Sequence, residues 1–411
     1  MLKHSFMKQI KYTLVALLAI VLLNASCKKE QENKIPENNI KIGALLSLTG
    51  NWSSLGITSK AAIDIALEEI NAYMSKSGSG YRFSSVVYDT RLDATLASQY
   101  IATAKGEGCQ FILGPQSSAE AGAVLNYANA NNMLVVSQGS TAGSLSIDYD
   151  NLYRFCPADD VEGVAMGKTI YNDGIRALVT AARDDAGNKG LQLSVGKAFN
   201  TLNGMVSATT PYSNAANVDF TALLADIKAR IVQYQSTYAT NQIAVYLASF
   251  DECVELFQQA AADPVLSSVR WYGGDGTALS AALIGNTTAA EFAIATKYFA
   301  PAFGLPEYAA GKWQPLSAEI RARTGIAPDA FALAAYDALW VLATTYMNFP
   351  YAQPEFSKLK SNFTMHAAEY HGATGSTRLN SAGDRATGSY DYWGIVKDGN
   401  SYKWVVIGQS E

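Results

Sequence analysis

The sequence predicts an α/β protein of two lobes, each built on a doubly wound parallel sheet. Short apolar strands alternate with amphipathic helices, and a second series of the same kind begins beyond Arg154. The chain has 411 residues, more than one ordinary domain. Hydrophobic residues make up 49% and charged residues 16%, so two cores can be filled and a disordered body is excluded.

The first series starts with an apolar strand at residues 40–48 and a turn at Thr49-Gly50-Asn51. A helix follows, because Ile63, Ala66, Leu67 and Ile70 recur on one helical face. The further strands of this series are predicted at residues 82–88, 110–113 and 133–136, and its helices at residues 93–105 and 119–130.

The second series has the same alternation. Its predicted strands are residues 177–182, 243–248 and 269–272, and its helices are residues 161–171, 222–234 and 253–261. Near the C-terminus, Asp329 is expected to cap an apolar helix at residues 330–345. Residues 391–396 and 402–407 are typical of a hairpin closed by Lys397-Asp398-Gly399-Asn400.

The N-terminus has the pattern of a secretory signal. Three lysines precede an apolar run at residues 14–23, which is too short to span a bilayer. The run ends in Leu23-Asn24-Ala25-Ser26-Cys27, which resembles the lipobox of bacterial lipoproteins. We therefore expect residues 1–26 to be removed, Cys27 to be lipidated, and residues 27–39 to tether the protein to a membrane of the cell envelope. The alternative, a buried apolar helix with an incidental cysteine, is disfavoured.

Charge and composition exclude several classes of protein. The net charge is −5, and removal of the signal leaves 28 basic against 36 acidic residues, so nucleic acid is not an expected partner. The three histidines are too few for a metal cluster: His4, His366 and His371. The cysteines after the signal are odd in number and widely spaced, so no disulfide framework is predicted: Cys109, Cys156 and Cys253.

Motifs for catalysis are weak. In residues 162–169 only three residues separate the two glycines, whereas a phosphate-binding loop needs four. No Gly-x-Ser-x-Gly motif occurs, and His366 and His371 both lie late in the chain. We therefore predict no catalytic residue, no cofactor and no metal, and we expect that the protein is not an enzyme.

Two loops at the carboxyl ends of predicted strands are suited to an anion. Residues 114–118 open a helix and residues 137–141 follow the next strand, and both offer hydroxyls and backbone N–H groups. Such groups bind carboxylates well, and ligands of open α/β sheets lie at this edge. Helix capping by Ser118 and Thr141 is the alternative, and the sequence leaves it open for each loop taken singly.

An ordered set of short motifs runs along the chain. They are Gly43-Ala44-Leu45-Leu46-Ser47-Leu48-Thr49-Gly50, Tyr88-Asp89-Thr90, Ile112-Leu113-Gly114-Pro115, Arg183-Asp184-Asp185-Ala186, Asp329-Ala330-Phe331-Ala332 and Gly383-Asp384. In this order they resemble the type I periplasmic binding proteins of branched-chain amino acid (Leu/Ile/Val-binding) ABC transporters. The resemblance extends from Ile40 to Ile407.

The resemblance implies a fold and a function. Two lobes joined by three crossovers are expected to close on a small amino-acid-like ligand. Lobe 1 is assigned residues 40–157 and 300–350, and lobe 2 residues 158–299 and 351–411. The implied function is that of a monomeric substrate-binding lipoprotein, which delivers its ligand to the permease of an ABC importer.

The resemblance also implies roles for individual residues. Ser118 and Thr141 fall where the ligand α-carboxylate is held, and the Gly139 carbonyl falls where the α-ammonium donates. Asp275 falls where an acidic residue faces the ammonium, although a surface turn would also explain it. Further contacts are implied for Asp159, Ser249 and Phe250.

Two positions depart from the family pattern. Gly187 stands where an aromatic ring usually covers the ligand, and Leu55 replaces a frequent aromatic residue. Trp52 is a candidate for the missing ring surface, although packing alone would also account for it. Gly187 keeps open an alternative function, an envelope lipoprotein whose cleft is vestigial and which regulates a protein such as a cell-wall synthase. A hydrolase on the same scaffold is the third alternative.

Overall fold

The first lobe is built on a five-stranded sheet. The computed structural model describes residues 38–215, 217–349 and 354–410. The strands are β1 (Asn38–Leu46), β2 (Tyr81–Asp89), β3 (Phe111–Leu113), β4 (Leu134–Ser137) and β5 (Leu152–Arg154), in the order β2-β1-β3-β4-β5. The helices between them are α1 (Ser53–Lys76), α2 (Ala94–Gly106) and α3 (Ser118–Ala130). Strands β1, β3, β4 and β5 pair in parallel, and β3 and β4 are buried throughout, as expected for a sheet covered on both faces.

The second lobe contains a seven-stranded sheet in the order β14-β13-β10-β9-β8-β6-β7. Its strands are β6 (Ala177–Ala182), β7 (Met205–Ala208), β8 (Ile243–Ala248), β9 (Arg270–Gly273), β10 (Phe299–Phe303), β13 (Tyr390–Asp398) and β14 (Ser401–Gln409). Its helices are α4 (Asp159–Asn172), α5 (Ala186–Thr201), α6 (Thr221–Gln235), α7 (Cys253–Ala260), α8 (Ala281–Gly285) and α9 (Thr287–Ala295). Five strands are parallel, and the predicted hairpin adds β13 and β14 in antiparallel pairing at one edge.

The chain crosses between the lobes three times. It passes from β5 to α4, from β10 to α10 (Ala310–Thr324) and α11 (Ala330–Met347), and from the last elements of the first lobe to β13. Those last elements are α12 (Phe356–Glu369) and the short pair β11 (His371–Gly372) and β12 (Gly375–Ser376). The predicted fold class, two α/β lobes with three crossovers, is confirmed.

The lobe boundaries differ from the predicted ones at two places. Strand β10 belongs to the second sheet, because it pairs with β9 and β13, whereas residues from 300 onward were expected in lobe 1. Helix α12 packs on the first lobe, whereas residues 351–411 were expected in lobe 2. The ring of Phe363 explains this placement, since it lies 6.0 Å from the ring of Phe111, 5.5 Å from that of Tyr153 and 5.9 Å from that of Phe155.

Two glycines of the segment that resembles a phosphate loop serve helix packing. Gly163 and Gly167 lie inside α4 and face α5. A Cβ at Gly163 would lie 2.0 Å from Ser194 Oγ, and one at Gly167 would lie 2.7 Å from Ala198 Cβ. The spacing of four therefore brings two helices into close contact, and the segment is not a phosphate loop.

A buried ion pair joins three distant segments. Arg154, at the end of β5, is fully buried, and its Nε donates to Asp384 Oδ1 at 2.5 Å. Its Nη1 donates to the Ala142 carbonyl at 2.6 Å, and the Ser146 hydroxyl donates to Asp384 Oδ2 at 2.7 Å. The pair thus ties the loop after β4 to β5 and to the chain just before the third crossover.

Other features bear on localisation and redox state. Within residues 38–215, 217–349 and 354–410, one helix, α11, is long and apolar enough to cross a membrane, but 78% of it is buried inside the fold, as in the core helix of a globular protein. Cys109, Cys156 and Cys253 are all buried and unpaired. Cys27 and the predicted signal lie outside the described residues.

Candidate functional site

The candidate ligand-binding residues meet where the strands of both lobes end. In lobe 1 they follow β1, β3 and β4, and in lobe 2 they follow β6, β8 and β9, which is the edge where open α/β sheets bind ligands. Asp159 begins α4, directly after the first crossover. All nine candidate residues are buried: Trp52, Ser118, Gly139, Thr141, Asp159, Gly187, Ser249, Phe250 and Asp275. The fold thus buries, at one edge of the two sheets, predicted residues that are up to 223 positions apart in the sequence.

Ser118 is not the cap of helix α3. Ser117 is the N-cap, with a capping box to Glu120. The Ser118 hydroxyl instead lies against the loop after β4, where it accepts from the N–H of Thr141 at 3.2 Å and from the N–H of Ala142 at 3.1 Å. Capping therefore does not explain Ser118, and the two loops form one cluster of donors.

Thr141 connects this cluster to the second lobe. It is buried, and its carbonyl accepts from the N–H of Asp159, the first residue of α4, at 2.8 Å. Asp159 itself is 3% exposed, and neither carboxylate oxygen makes a hydrogen bond of standard geometry among the described residues, although the Thr141 hydroxyl and the Gly143 N–H lie near it. A buried carboxylate in this condition is suited to receive a cation.

An aromatic pair crosses the cleft. The indole of Trp52 stacks on the ring of Phe250 with centroids 4.7 Å apart and 29° between planes. Trp52 also covers Gly139, because a Cβ at Gly139 would lie 3.2 Å from Trp52 Cη2 and 3.3 Å from Leu55 Cδ2. Trp52 therefore supplies ring surface next to Gly139.

Gly187 allows the two lobes to approach each other. It lies in the first turn of α5, and a Cβ there would be 3.3 Å from Ser118 Oγ. Any larger side chain at this position would enter the space next to Ser118. The departure from the family pattern therefore has a steric reason, since the aromatic ring that is absent at Gly187 would displace the Ser118 loop.

Asp275 is buried, so a surface turn does not explain it. It is 5% exposed and begins a short 3-10 turn, Asp275–Thr277, directly after β9. A Cβ at the next residue, Gly276, would lie 2.6 Å from Phe250 Cδ1 and 2.7 Å from the Ser249 carbonyl, so the three site residues of lobe 2 pack together. The oxygens Asp275 Oδ2 and Ser249 Oγ are buried without a partner in the described part of the chain.

Burial shifts the acids of the site toward their neutral forms. The pKa of Asp159 is raised to about 7, because burial penalises its charge, while the Thr141 hydroxyl and Arg154 oppose the rise. The pKa of Asp275 is also raised, through burial and through the nearby charge of Asp159. No lysine or arginine of the described ranges forms an ion pair with either carboxylate.

Within those ranges no group of three or more His, Cys, Asp or Glu could hold a metal ion.

A carboxylate of lobe 2 caps the first helix of lobe 1. Trp52, the N-cap of α1, has left-handed backbone angles (φ 57°, ψ 28°), and its side chain makes no cap. The Trp52 N–H donates to Asp251 Oδ2 at 2.7 Å, and the Ser280 hydroxyl donates to Asp251 Oδ1 at 2.5 Å. A negative charge at a helix N-terminus is stabilising. A second bond from the Ala281 N–H to Ser54 Oγ, at 3.1 Å, crosses at the same point.

A polar cavity of about 940 Å³ opens beside this contact. Loops of lobe 1 around Asn51 and Arg91 form one wall, and Arg183, Asp185 and Phe250 of lobe 2 form the other. Of the nine candidate residues, Phe250 lines this cavity, which we call the vestibule, and so do Ser117 and Ala119 on either side of Ser118.

Sequence reasoning missed three residues of this region, namely Glu162, Tyr246 and Asp251. Glu162 lies three residues after Asp159 on a helix, a spacing that places both on one face, and this signal was present in the sequence. Asp251 directly follows Ser249 and Phe250 beyond the end of β8. Tyr246 could not be found in this way, because nothing distinguishes it from the apolar residues of its strand.

Comparison with known proteins identifies the family. A model of the periplasmic binding proteins matches residues 39–390. The chain belongs to the periplasmic binding protein family. The predicted family is thereby confirmed, and membership implies a periplasmic or extracellular location.

Two relatives of this binding protein differ in coverage. An uncharacterised protein of Methanocaldococcus jannaschii is 27% identical over 405 residues, which cover 93% of this chain and 94% of the relative. The Leu/Ile/Val-binding protein BraC3 of Rhizobium johnstonii is 29% identical over 199 residues, 47% of this chain and 53% of the relative.

Two solved structures share the fold of this binding protein. The leucine-binding protein LivK of Thermotoga maritima has a TM-score of 0.71 at 20% identity, covering 90% of this chain and 99% of the other. An ABC transporter solute-binding protein of R. palustris in complex with benzoate has a TM-score of 0.71 at 18% identity, covering 90% of this chain and 96% of the other. At this identity the likeness shows the fold.

Asp251→Ala is expected to loosen the start of α1. The substitution removes the carboxylate that accepts the Trp52 N–H, and loss of a helix cap costs about 0.5–2 kcal/mol. Hydrogen exchange at the amides of residues 52–56 should therefore quicken by a factor of about 2 to 30. Asp219→Ala is the control, since Asp219 caps only within lobe 2 at Thr221. Equal exchange at residues 52–56 in wild type and Asp251→Ala would contradict the cross-lobe cap.

Asp159→Asn is expected to stabilise the protein at neutral pH and not at pH 4. The folded-state pKa of Asp159, about 7, exceeds the unfolded value of about 3.9, so the folded state holds the proton longer. Between these values stability falls as pH rises, by up to about 1.4 kcal/mol per pH unit. Asparagine removes this loss. Compared with wild type, Asp159→Asn should have a higher midpoint of thermal unfolding at pH 7.5 and a similar midpoint at pH 4. The control Glu369→Gln should have the wild-type midpoint at both pH values. A gain of equal size at both pH values in Asp159→Asn would refute the explanation.

Proposed function

We propose that this protein is the solute receptor of an ABC importer, that it binds a small amino-acid-like ligand between its lobes, and that it delivers this ligand to a permease without catalysing a reaction. The observation that carries the proposal is the division of the site. Lobe 1 contributes hydroxyl and N–H donors around Ser118, whereas the carboxylates of Asp159 and Asp275 have buried oxygens without partners.

The donor cluster suits a carboxylate. The N–H groups of Thr141 and Ala142 converge on Ser118 Oγ, and the Ser140 hydroxyl donates to the same oxygen at 3.1 Å. A ligand carboxylate oxygen can take the place of the hydroxyl oxygen as the acceptor of these N–H groups. Each hydrogen bond to a charged group contributes about 1.5–3 kcal/mol.

The acidic residues suit an ammonium group. Asp159 and Asp275 lack basic partners, so a ligand cation would offset the free energy that their burial costs. The ring of Phe250 packs against Gly276, next to Asp275, and stacks on Trp52, so the two rings offer apolar surface that suits an apolar side chain. The names of the relatives, among them a leucine-binding and a Leu/Ile/Val-binding protein, support an amino acid as the ligand.

The alternative role, regulation of a cell-wall synthase with a vestigial cleft, is not favoured. A vestigial cleft would have no reason to keep two buried acids without partners, because replacing them with apolar residues would stabilise the fold. The same residues argue against a hydrolase, since no nucleophile and base are paired beside them among the described residues.

Ser118→Ala and Asp275→Asn are expected to weaken binding of a cognate amino acid about 10- to 150-fold, the equivalent of one charge-assisted hydrogen bond. Thermal shift with the twenty amino acids, followed by calorimetry on those that respond, measures this. Ser117→Ala is the matched control: it removes the cap of α3 and lowers stability, but should leave affinity within about twofold. If no amino acid, dipeptide or small carboxylate binds the wild type, the proposal is wrong.

We also propose that Cys27 anchors the mature chain to a membrane. The lipobox-like motif and the charged tether after it support this, together with a family whose members act outside the cytoplasm. Cys27→Ser should move the protein from the membrane fraction to the soluble fraction and abolish incorporation of labelled palmitate. Cys109→Ser, at a buried thiol, serves as the control. Label retained in Cys27→Ser would rule out this anchor.

A further inference from the structure

Glu162 lies beside the proposed cationic subsite and has no assigned role. It is 1% exposed, and it follows Asp159 by one turn of α4, so both carboxyls lie on one face of the helix. Glu162 Oε1 accepts the N–H of Asp275 at 3.3 Å, while Oε2 has no partner in the described part of the chain. Glu162 therefore contacts one proposed ligand residue and neighbours another.

Three carboxyl groups in one buried space cannot all be charged. Asp159, Glu162 and Asp275 form no ion pair with a lysine or arginine of the described residues, and the nearby Arg154 is engaged by Asp384. Glu162 Oε1 accepts the backbone N–H of Asp275, and Glu162 Oε2 and Asp275 Oδ2 are both buried with no partner in the described residues, so the two carboxyl groups are neighbours shielded from water. Two such neighbours without a basic partner favour a state in which one of them carries a proton. Burial, reinforced by the charges of Asp275 and Asp159, raises the pKa of Glu162 well above its usual range.

The groups that surround the pair favour retention of this proton. From the other elements packed here, those that face Glu162 or Asp275 are Tyr246 on β8, Tyr390 on β13, Cys156 in the first crossover, Asp329 before α11, and Asp159 on α4 itself. Each of these is neutral or acidic. Among the described cations, Arg154 acts on Asp159 and Cys156 and is balanced by Asp384, and Arg385 acts on Cys156 and lies near Asp337.

We propose that Glu162 and Asp275 share one proton and that a protonated amine of the ligand displaces it, so that each binding event releases about one proton to solvent. The inference rests on the proposed function and adds to it a positioning residue and a pH dependence. In the exchange the carboxyl O–H bond breaks, both carboxylates become charged, and the ammonium ion replaces the lost positive charge. No other covalent bond changes.

Uptake is then coupled to pH in a defined direction. Protons and the ligand amine compete for one pair of carboxylates, so acidification weakens binding. Below the pKa of the pair, affinity should fall by a factor of about 10 for each pH unit. A ligand that lacks the amine, such as a simple carboxylate, should show no such dependence.

The test compares wild type, Glu162→Gln and Glu369→Gln in the full-length chain. Glutamine can still accept the Asp275 N–H and can donate to the Asp275 carboxylate, so the pair keeps its geometry without a titrating proton. Glu369 is exposed and distant from the site, which makes its substitution a matched control.

Two measurements are made. Calorimetry of L-leucine in phosphate and in Tris, buffers that differ in ionisation enthalpy, counts the protons released at pH 7; the other nineteen amino acids are further probes. We expect about one proton for wild type and Glu369→Gln and none for Glu162→Gln. The infrared difference spectrum between wild type and Glu162→Gln, both without any amino acid, should show a protonated carboxyl band that is present in wild type and lost in the variant.

The outcomes separate the two proposals. An amino acid that binds the wild type without proton release, or an infrared spectrum without the carboxyl band, overturns the shared proton while leaving the proposed function in place. Failure of all twenty amino acids to bind overturns the proposed function and the exchange with it, even where the infrared band is present.

Discussion

The ion pair between Arg154 and Asp384 is the interaction on which the site depends. It is fully buried, and one guanidinium holds the carbonyl of Ala142, the acid before the third crossover and, through that acid, Ser146. Breaking such a pair would leave an uncompensated charge inside the protein, at a cost of about 3–5 kcal/mol. The loop that carries Thr141 therefore has a fixed position. The N–H groups of Thr141 and Ala142 in this loop can then reach the Ser118 hydroxyl.

Closure of the lobes depends on polar groups that neither lobe satisfies alone. Helix α1 begins at a left-handed Trp52 whose side chain makes no cap, and lobe 2 provides Asp251 as the acceptor. The stack of Trp52 on Phe250 adds apolar area to the same contact. The contacts between the lobes thus include specific polar pairs and a ring stack, which suits lobes that open and close.

The sequence predicted most of the fold, because strands and helices follow periodic patterns, and it named the buried residues of the candidate site from local patterns. Strands β6 and β8 match their predicted bounds, since each is a continuous apolar run. The elements that were not predicted, such as β10 and α12, are those whose lobe is decided by tertiary packing, as with Phe363. The same holds in the candidate site. The sequence singled out Ser118, but backbone geometry decides that Ser117, and not Ser118, caps the helix. Glu162 became meaningful only when Asp275, more than a hundred residues later, was placed beside it.

The burial of every cysteine in the described part of the chain has a practical consequence. Burial raises the pKa of the Cys109 thiol to about 11 and those of Cys156 and Cys253 further, so these thiols react slowly with maleimides at neutral pH. A cysteine introduced at the rim of the vestibule would then be the preferred attachment point for an environment-sensitive dye. The protein is in this respect a ready scaffold for an optical sensor of its own ligand.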